Sequence, residues 1–362
     1  MKHIHEYRDA GLARGIAEDI RRTSTRPVRI MEICGTHTMS IFRHGLRSLL
    51  PPHIELVSGP GCPVCVTSIG EIDRCVKTAS NPGVIVATFG DMLRVPGSTG
   101  TLMAQSSMGA DVRMVYSSLD ALKIARENPG KSVVFLGIGF ETTSPTVAAA
   151  VKTAADQGIR NFYVLSAHKL LPPAMEALLS SADFRIDGFL CPGHVSTVIG
   201  TSTYDRVAGE YGTPCVVAGF EPVDILQSIL MLVRQIEKGE ACAEIQYTRA
   251  VARAGNPVAL RMIREVFTPC ASVWRGLGSI EGSGLALRDK YKSHDALARF
   301  DTDVPPPLEP PGCRCAEVLK GSIRPPECPL FRTVCTPRYP VGACMVSSEG
   351  TCAAYFKYHD PP

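Results

Sequence analysis

From Val28 to about Lys238 the chain alternates short, β-rich apolar runs with stretches of helix length. Few folds accept that pattern. Parallel strands need long crossovers, and the helices of those crossovers cover both faces of the sheet, so strand–helix alternation points to parallel-sheet α/β architecture. The runs expected as strands are Val28–Ile33, Ile54–Val57, Val84–Thr88, Val112–Tyr116, Val133–Gly137, Phe162–Leu165, Gly188–Leu190 and Cys215–Ala218. Eight strands are enough for two such units, and their junction is expected near residue 120. The expected fold class is therefore α/β, with two parallel-sheet α/β domains at 1–120 and 121–240. A third part, 241–362, is expected to be mainly helical and irregular. Within it Val304–Gly312, with five prolines, reads as a stiff extended linker.

Composition narrows the function classes. No stretch approaches the roughly 20 apolar residues that a membrane-spanning helix needs, so no membrane span is expected. The first residues, MKHIHEYRDAGLARGIAEDIRR, mix both charge signs at helical spacing and lack the apolar core of a secretion signal, which points to a cytoplasmic location. In that reducing compartment fourteen cysteines are better read as metal ligands, redox thiols and small buried residues than as a disulfide framework. A net charge of +3 over 362 residues gives no electrostatic footprint for nucleic acid.

In open parallel sheets, ligands bind beyond the carboxyl ends of the strands, and the unusual residues of this chain cluster there. One strand runs into Cys34-Gly35-Thr36-His37 and the next into Gly59-Pro60-Gly61-Cys62-Pro63-Val64-Cys65. Later strands run into Gly139-Phe140-Glu141-Thr142-Thr143 and Cys191-Pro192-Gly193-His194. Four such loops can face one cleft. Cys62 and Cys65 form a C-x-x-C pair whose sulfurs can close as a disulfide or share a metal, and a helix beginning near Ser68 would lower the pKa of a nearby thiol. The plainer reading is a structural pair of buried cysteines. Cys34 and His37 can meet on one metal, or His37 can tune the thiol, although such a pair alone is more often packing. With Cys62 and Cys65 it can hold a soft or borderline metal such as iron. Glu141 offers a carboxylate to the cleft, or caps the helix that follows it. His194 is either a group of the same cleft or an ordinary structural histidine. Gly137-Ile138-Gly139 lacks the third glycine of a dinucleotide loop, and no phosphate-binding lysine motif follows.

Six more cysteines fall between Cys313 and Cys352, in a segment too irregular to be held by apolar burial alone. Four thiolates suit zinc as well as iron, but the wide spacings lack the paired knuckles of a zinc ribbon and favour an iron–sulfur cluster. Cys75, Cys215, Cys242 and Cys270 stand singly in apolar or helical patterns and read as buried residues.

The strings CGTHTMSIFRHG, GPGCPVCVT, GFETTSPT, CPGHVSTVIG and the C-terminal CRC, PPECPLF, VCTP and MVSSEGTCAAYFKY, in this order, resemble the HypD family of [NiFe]-hydrogenase maturation factors over nearly the whole chain. The resemblance implies a scaffold on which the Fe(CN)2CO moiety is assembled, with two α/β domains around a cleft and a third domain holding a [4Fe-4S] cluster. It also implies work with the small chaperone HypC and delivery of cyanide by HypE, itself charged by HypF. Carried onto this sequence, the iron-binding cysteine is Cys34 and the redox pair is Cys62 and Cys65. The cluster ligands are Cys315, Cys328, Cys335 and Cys352, which leaves Cys313 and Cys344 unassigned. His37, Glu141 and His194 are then expected to orient ligands or move protons. The alternative is a free-standing iron–sulfur thiol–disulfide oxidoreductase.

Overall fold

The computed structural model describes residues 5–181 and 184–358. Its strands are β1 (Val28–Glu32), β2 (Ile54–Ser58), β3 (Val84–Thr88), β4 (Asp111–Met114), β5 (Ser132–Gly137), β6 (Phe162–Ser166), β7 (Gly188–Pro192), β8 (Cys215–Ala218), β9 (Ala243–Ile245), β10 (Phe267–Trp274) and β11 (Gly278–Leu287). Two sheets are wholly parallel, with strand orders β2-β1-β7-β8-β9 and β4-β3-β5-β6. All eight expected strands are present, with ends shifted by a residue or two. Every residue of β3, β7 and β8 is buried, as continuous apolar runs must be when helices cover both faces.

The sheets do not follow the division at residue 120. β1 and β2 open the first sheet, β3 to β6 build the second, and the chain then returns to lay β7 against β1, with Ile30 opposite Gly188 and Glu32 opposite Leu190. Alternation fixes that strands pair in parallel but carries no information on which strand a returning chain chooses. Both sheets share one apolar core. Met31, Val57 and Phe189 of the first belong to the same buried cluster as Ile85 and Phe135 of the second, and Cys62, Cys65 and Val66 are part of it.

Beyond Ala241 helical residues outnumber strand residues and much of the chain is irregular, as expected, but three strands that the pattern did not show stand among them. β9 adds a fifth parallel strand to the first sheet, and β10 and β11 form an antiparallel hairpin. Burial along β10 alternates residue by residue, the period of a half-exposed strand. Its turn passes through Gly276 and Gly278, both at positive φ (80° and 77°). Two cysteine readings are corrected: Cys270 on β10 is only partly buried, and Cys242, just before β9, is exposed, whereas Cys75 and Cys215 are buried as expected. Among the described residues no helix is long and apolar enough to cross a membrane.

Trp274 anchors the hairpin. It is 1% exposed, stacks on Phe140 at 6.0 Å between ring centroids, and donates its Nε1–H to Ser283 Oγ at 2.9 Å. Trp274→Ala removes both contacts and leaves a cavity, and should cost about 3–5 kcal/mol, read by circular dichroism during urea unfolding because this is the chain's single tryptophan.

Candidate functional site

In the first sheet the chain leaves β1 toward β2 on one side and later adds β7, β8 and β9 on the other. The carboxyl end of β1 is therefore the point where strand order reverses, the place where open parallel sheets form a crevice. CGTH leaves β1, GPGCPVC leaves β2 and CPGH completes β7, so three of the four motif loops meet on adjacent strands. GFETT follows β5 and belongs to the corresponding reversal point of the second sheet.

Cys34 is the residue before the helix Gly35–Arg43 and makes no side-chain cap of its own. Its sulfur faces the backbone N–H groups of Thr36 and His37. Burial pushes the Cys34 thiol up to about 11, the charge of Glu349 acts in the same direction, and the helix N–H groups oppose both. Without a cation Cys34 is thus a protonated thiol near neutral pH, and a bound metal would deprotonate it. Two glycines make its setting possible. A Cβ on Gly61 would stand 2.1 Å from Cys34 N, and one on Gly35 would stand 2.5 Å from Glu349 O. Across the first contact Gly35 N–H donates to Gly61 O at 3.0 Å, which ties the Cys34 loop directly to the loop carrying Cys62.

Cys62 and Cys65 are joined as a disulfide with 5.2 Å between Cα atoms. Pro63 opens a one-turn helix between them, and Cys62 Sγ accepts from Cys65 N at 3.3 Å. The helix expected near Ser68, Ile69–Ala79, is closed by its own capping box, Ser68 Oγ accepting from Glu71 N while Glu71 accepts from Ser68 N.

His37 turns its side chain away from Cys34. Its Nε2 meets Gly219 O at 2.9 Å, which makes Nε2 the protonated nitrogen, and Nδ1 is buried without a hydrogen-bond partner. Burial lowers its pKa to about 4, so the ring is neutral in ordinary buffers. Phe220 stacks with His37 at 4.8 Å and with the exposed His194 at 3.9 Å. Packing lowers the pKa of His194, against the charge of Glu349.

Two residues of this region carried no signal in the sequence. Glu349, in the C-terminal segment, accepts from Thr36 Oγ1 at 2.6 Å and acts electrostatically on both Cys34 and His194. Phe220 follows β8 and joins the two histidines. A lone Glu or Phe in a loop has no spacing by which to be found.

Glu141 lies elsewhere. Its Oε1 accepts from Leu171 N at 2.9 Å, so it caps the helix Leu171–Leu179 rather than the helix that follows it in sequence. Its Oε2 is buried without a partner, and burial raises its pKa to about 7.

All six C-terminal cysteines line one small pocket. Cys315 and Cys344 bring their sulfurs to 2.8 Å, and contact with Cys315, then burial, push the Cys313 thiol up. Among the described residues no group of three or more His, Cys, Asp or Glu side chains stands in the arrangement of a single-ion site. The donor set itself is soft and crowded, and it fits a thiolate-held cluster in chemistry.

Fold and site together define a thiol-rich, two-sheet α/β protein with a cysteine at the strand-order reversal, a disulfide on the adjoining loop and a pocket walled with sulfur. The chain matches the HypD profile, described as the Hydrogenase formation hypA family, over residues 11–359. It is 50% identical over 370 residues to the hydrogenase maturation factor HypD of Rhodobacter capsulatus, covering 99% of this chain and 98% of that one. It is 48% identical over 366 residues to the HypD of Escherichia coli (strain K12), covering 99% and 98%. The chain belongs to the HypD family of hydrogenase maturation factors.

Glu141 gives a test of the electrostatics. Its value of about 7 in the fold lies above the ordinary 4.5, so the folded chain holds an extra proton between those values. Stability should therefore fall as pH rises from 4.5 to 7. Glu141→Gln keeps an oxygen for Leu171 N–H and should abolish that slope. It should gain on the order of 3 kcal/mol at pH 8, at about 1.4 kcal/mol per pKa unit, measured by urea unfolding at pH 5 and pH 8.

Proposed function

We propose that this chain is the scaffold on which the Fe(CN)2CO moiety of [NiFe]-hydrogenase is assembled, with iron as its cargo. The observation that carries the reading is the Gly61 contact, which sets the loop of Cys62 and Cys65 against the backbone of Cys34 at the strand-order reversal. One thiol is thereby offered to a metal, with a two-electron thiol pair on the next loop.

Cys34 binds the iron as a thiolate, its proton leaving as the metal enters and the N–H groups of Thr36 and His37 steadying the sulfur. Cys62 and Cys65 release two electrons and two protons when the dithiol closes to the disulfide, and take them back on reduction. His194, open to solvent and within the field of Glu349, is placed to move protons at the mouth. His37, neutral and fixed between Gly219 and Phe220, shapes the wall behind the helix. Glu141 is left a structural role, because the contacts of its carboxylate lie at the second sheet. Cys315, Cys328, Cys335 and Cys352 would hold a [4Fe-4S] cluster, which when bound supplies one-electron transfer. Cys344, whose sulfur touches that of Cys315, and Cys313 then remain free thiols. A HypC-type chaperone supplies a further thiolate to the iron, and HypE, charged by HypF, supplies cyanide.

The free-standing oxidoreductase is disfavoured by access. Cys62 and Cys65 are 4% and 0% exposed, whereas thiols that exchange with general substrates are partly exposed.

The test is infrared spectroscopy and metal analysis of the protein purified anaerobically with its small partner. The wild type should show cyanide and carbonyl stretching bands, which Cys34→Ala should lose while keeping its iron and sulfide. Cys328→Ser should lose most of that iron and sulfide, and Cys344→Ala should retain it. Retention of the diatomic bands by Cys34→Ala would remove Cys34 from the mechanism, and a colourless, zinc-only protein would remove the cluster.

A further inference from the structure

The tip of the β10–β11 hairpin lies between the disulfide loop and the sulfur-lined pocket, and it carries a buried cation. Arg275 is 4% exposed. Its Nε donates to Cys65 O and Thr67 O, each at 3.1 Å, and its backbone N–H donates to Val66 O at 2.8 Å. On the other side, a Cβ on Gly276 would stand 2.8 Å from the backbone of Ala316, the neighbour of Cys315. Cys65 Sγ in turn faces the carbonyl of Ala343, the neighbour of Cys344, at 3.9 Å. One short turn therefore touches the backbone beside the redox pair and the backbone beside the pocket.

The charge of Arg275 is poorly matched where it stands. Its carboxylate partner, Glu309, is 3.9 Å away and 64% exposed, and Nη2 is buried without a hydrogen-bond partner. A buried guanidinium with an idle donor and one distant, solvated counter-ion is costly.

We propose that Arg275 is a positioning residue for the redox chemistry: its fixed positive charge, clamped to the Cys65 and Thr67 carbonyls, favours the reduced state of the Cys62–Cys65 pair. The inference rests on reading Cys62 and Cys65 as a redox pair. On reduction the S–S bond breaks, two electrons and two protons enter, and two thiols form. In the test the electrons come from dithiothreitol, which closes to its cyclic disulfide. The more thiolate the product carries, the more a nearby cation favours it.

The experiment incubates the full-length protein, purified anaerobically, in buffers of reduced and oxidised dithiothreitol. It starts from both the oxidised and the fully reduced protein and continues until the two agree, so that slow access to the buried pair is not mistaken for absence of a couple. Thiols are then trapped and the Cys62–Cys65 peptide quantified by mass spectrometry. Arg275→Met should shift the equilibrium constant about tenfold toward the disulfide, equivalent to about 30 mV for a two-electron couple. Arg275→Lys keeps the charge but loses the planar fork, and should stay within about threefold of the wild type. A merely structural role would not make the equilibrium follow charge, so that Lys restores what Met loses; because this charge is buried, the difference should persist as salt is raised. Where Arg275→Met does not fold, the exposed Glu309→Lys adds a cation at the same place and should shift the pair about twofold toward the dithiol; no shift, or a shift toward the disulfide, overturns the proposal. A reversible couple that Arg275→Met leaves unmoved overturns the role of Arg275 alone. No reversible couple in the unsubstituted protein overturns the redox reading and this role together.

Discussion

The pairing of β7 with β1, made after the chain has built a second sheet and come back, is the contact on which the site depends. Without it β1 would be an edge strand, and Cys34 would end a strand with one neighbour. With it, β1 becomes the reversal point of a five-stranded sheet. The pairing also brings CPGH beside CGTH and sets the loop after β8 close enough for Gly219 and Phe220 to take hold of His37. That loop is braced in turn. Buried Asp224 accepts from Arg249 Nη1 at 2.8 Å and from Gln246 Nε2 at 2.9 Å, and Gln246 Oε1 accepts from Gly219 N at 3.1 Å. The sheet, the Asp224 network and the histidine wall form one chain of support that ends at the Cys34 helix.

The strands were legible because they are buried on both faces and so read as uninterrupted apolar runs. Their order was not, because the returning strand β7 can pair with any open edge whose apolar surface needs cover, and its own residues do not name the partner. β10 and β11 escaped notice for a different reason. Half-exposed strands interrupted by Gly276, Gly278, Gly282 and Gly284 scatter Phe267, Trp274, Ile280, Leu285 and Leu287 without a continuous apolar run, although the hairpin reaches both the GFETT loop and the disulfide. At the site, Cys34, Cys62 and Cys65 were legible through spacing and glycine context. Glu349, Phe220 and Arg275 were not, since each acts through a tertiary contact with a residue far away in sequence.

Glu141 shows how a correct suspicion attaches to the wrong helix. A carboxylate after a strand, followed by two threonines, has the chemistry of a cap, and capping is what it does. The N–H it receives belongs to Leu171, thirty residues on. The loop after β6 lies against the loop after β5, where Lys169 N–H donates to Gly139 O, and that contact delivers the end of the Leu171–Leu179 helix to Glu141. A local sequence rule identified the group, and strand adjacency chose its partner.

The site also has a common electrostatic logic. Cys34 is held as a neutral thiol by burial, Cys62 and Cys65 are closed as a disulfide, and Cys313, Cys315, Cys344 and Cys352 crowd one another with their values pushed up. Each of these is an uncharged form, in an interior where an unpaired thiolate would be costly. Reduction or metal entry would put negative charge into that interior, and the fold already offers charge and dipoles to receive it: the N–H groups of Thr36 and His37 at Cys34, and Arg275 between the redox pair and the sulfur pocket. The idle Nη2 of Arg275 and the uncapped sulfur of Cys34 are then the same feature on two scales. In each, a positive partner is fixed by backbone contacts in advance of the charge it is placed to meet, so that little reorganisation is needed when that charge arrives.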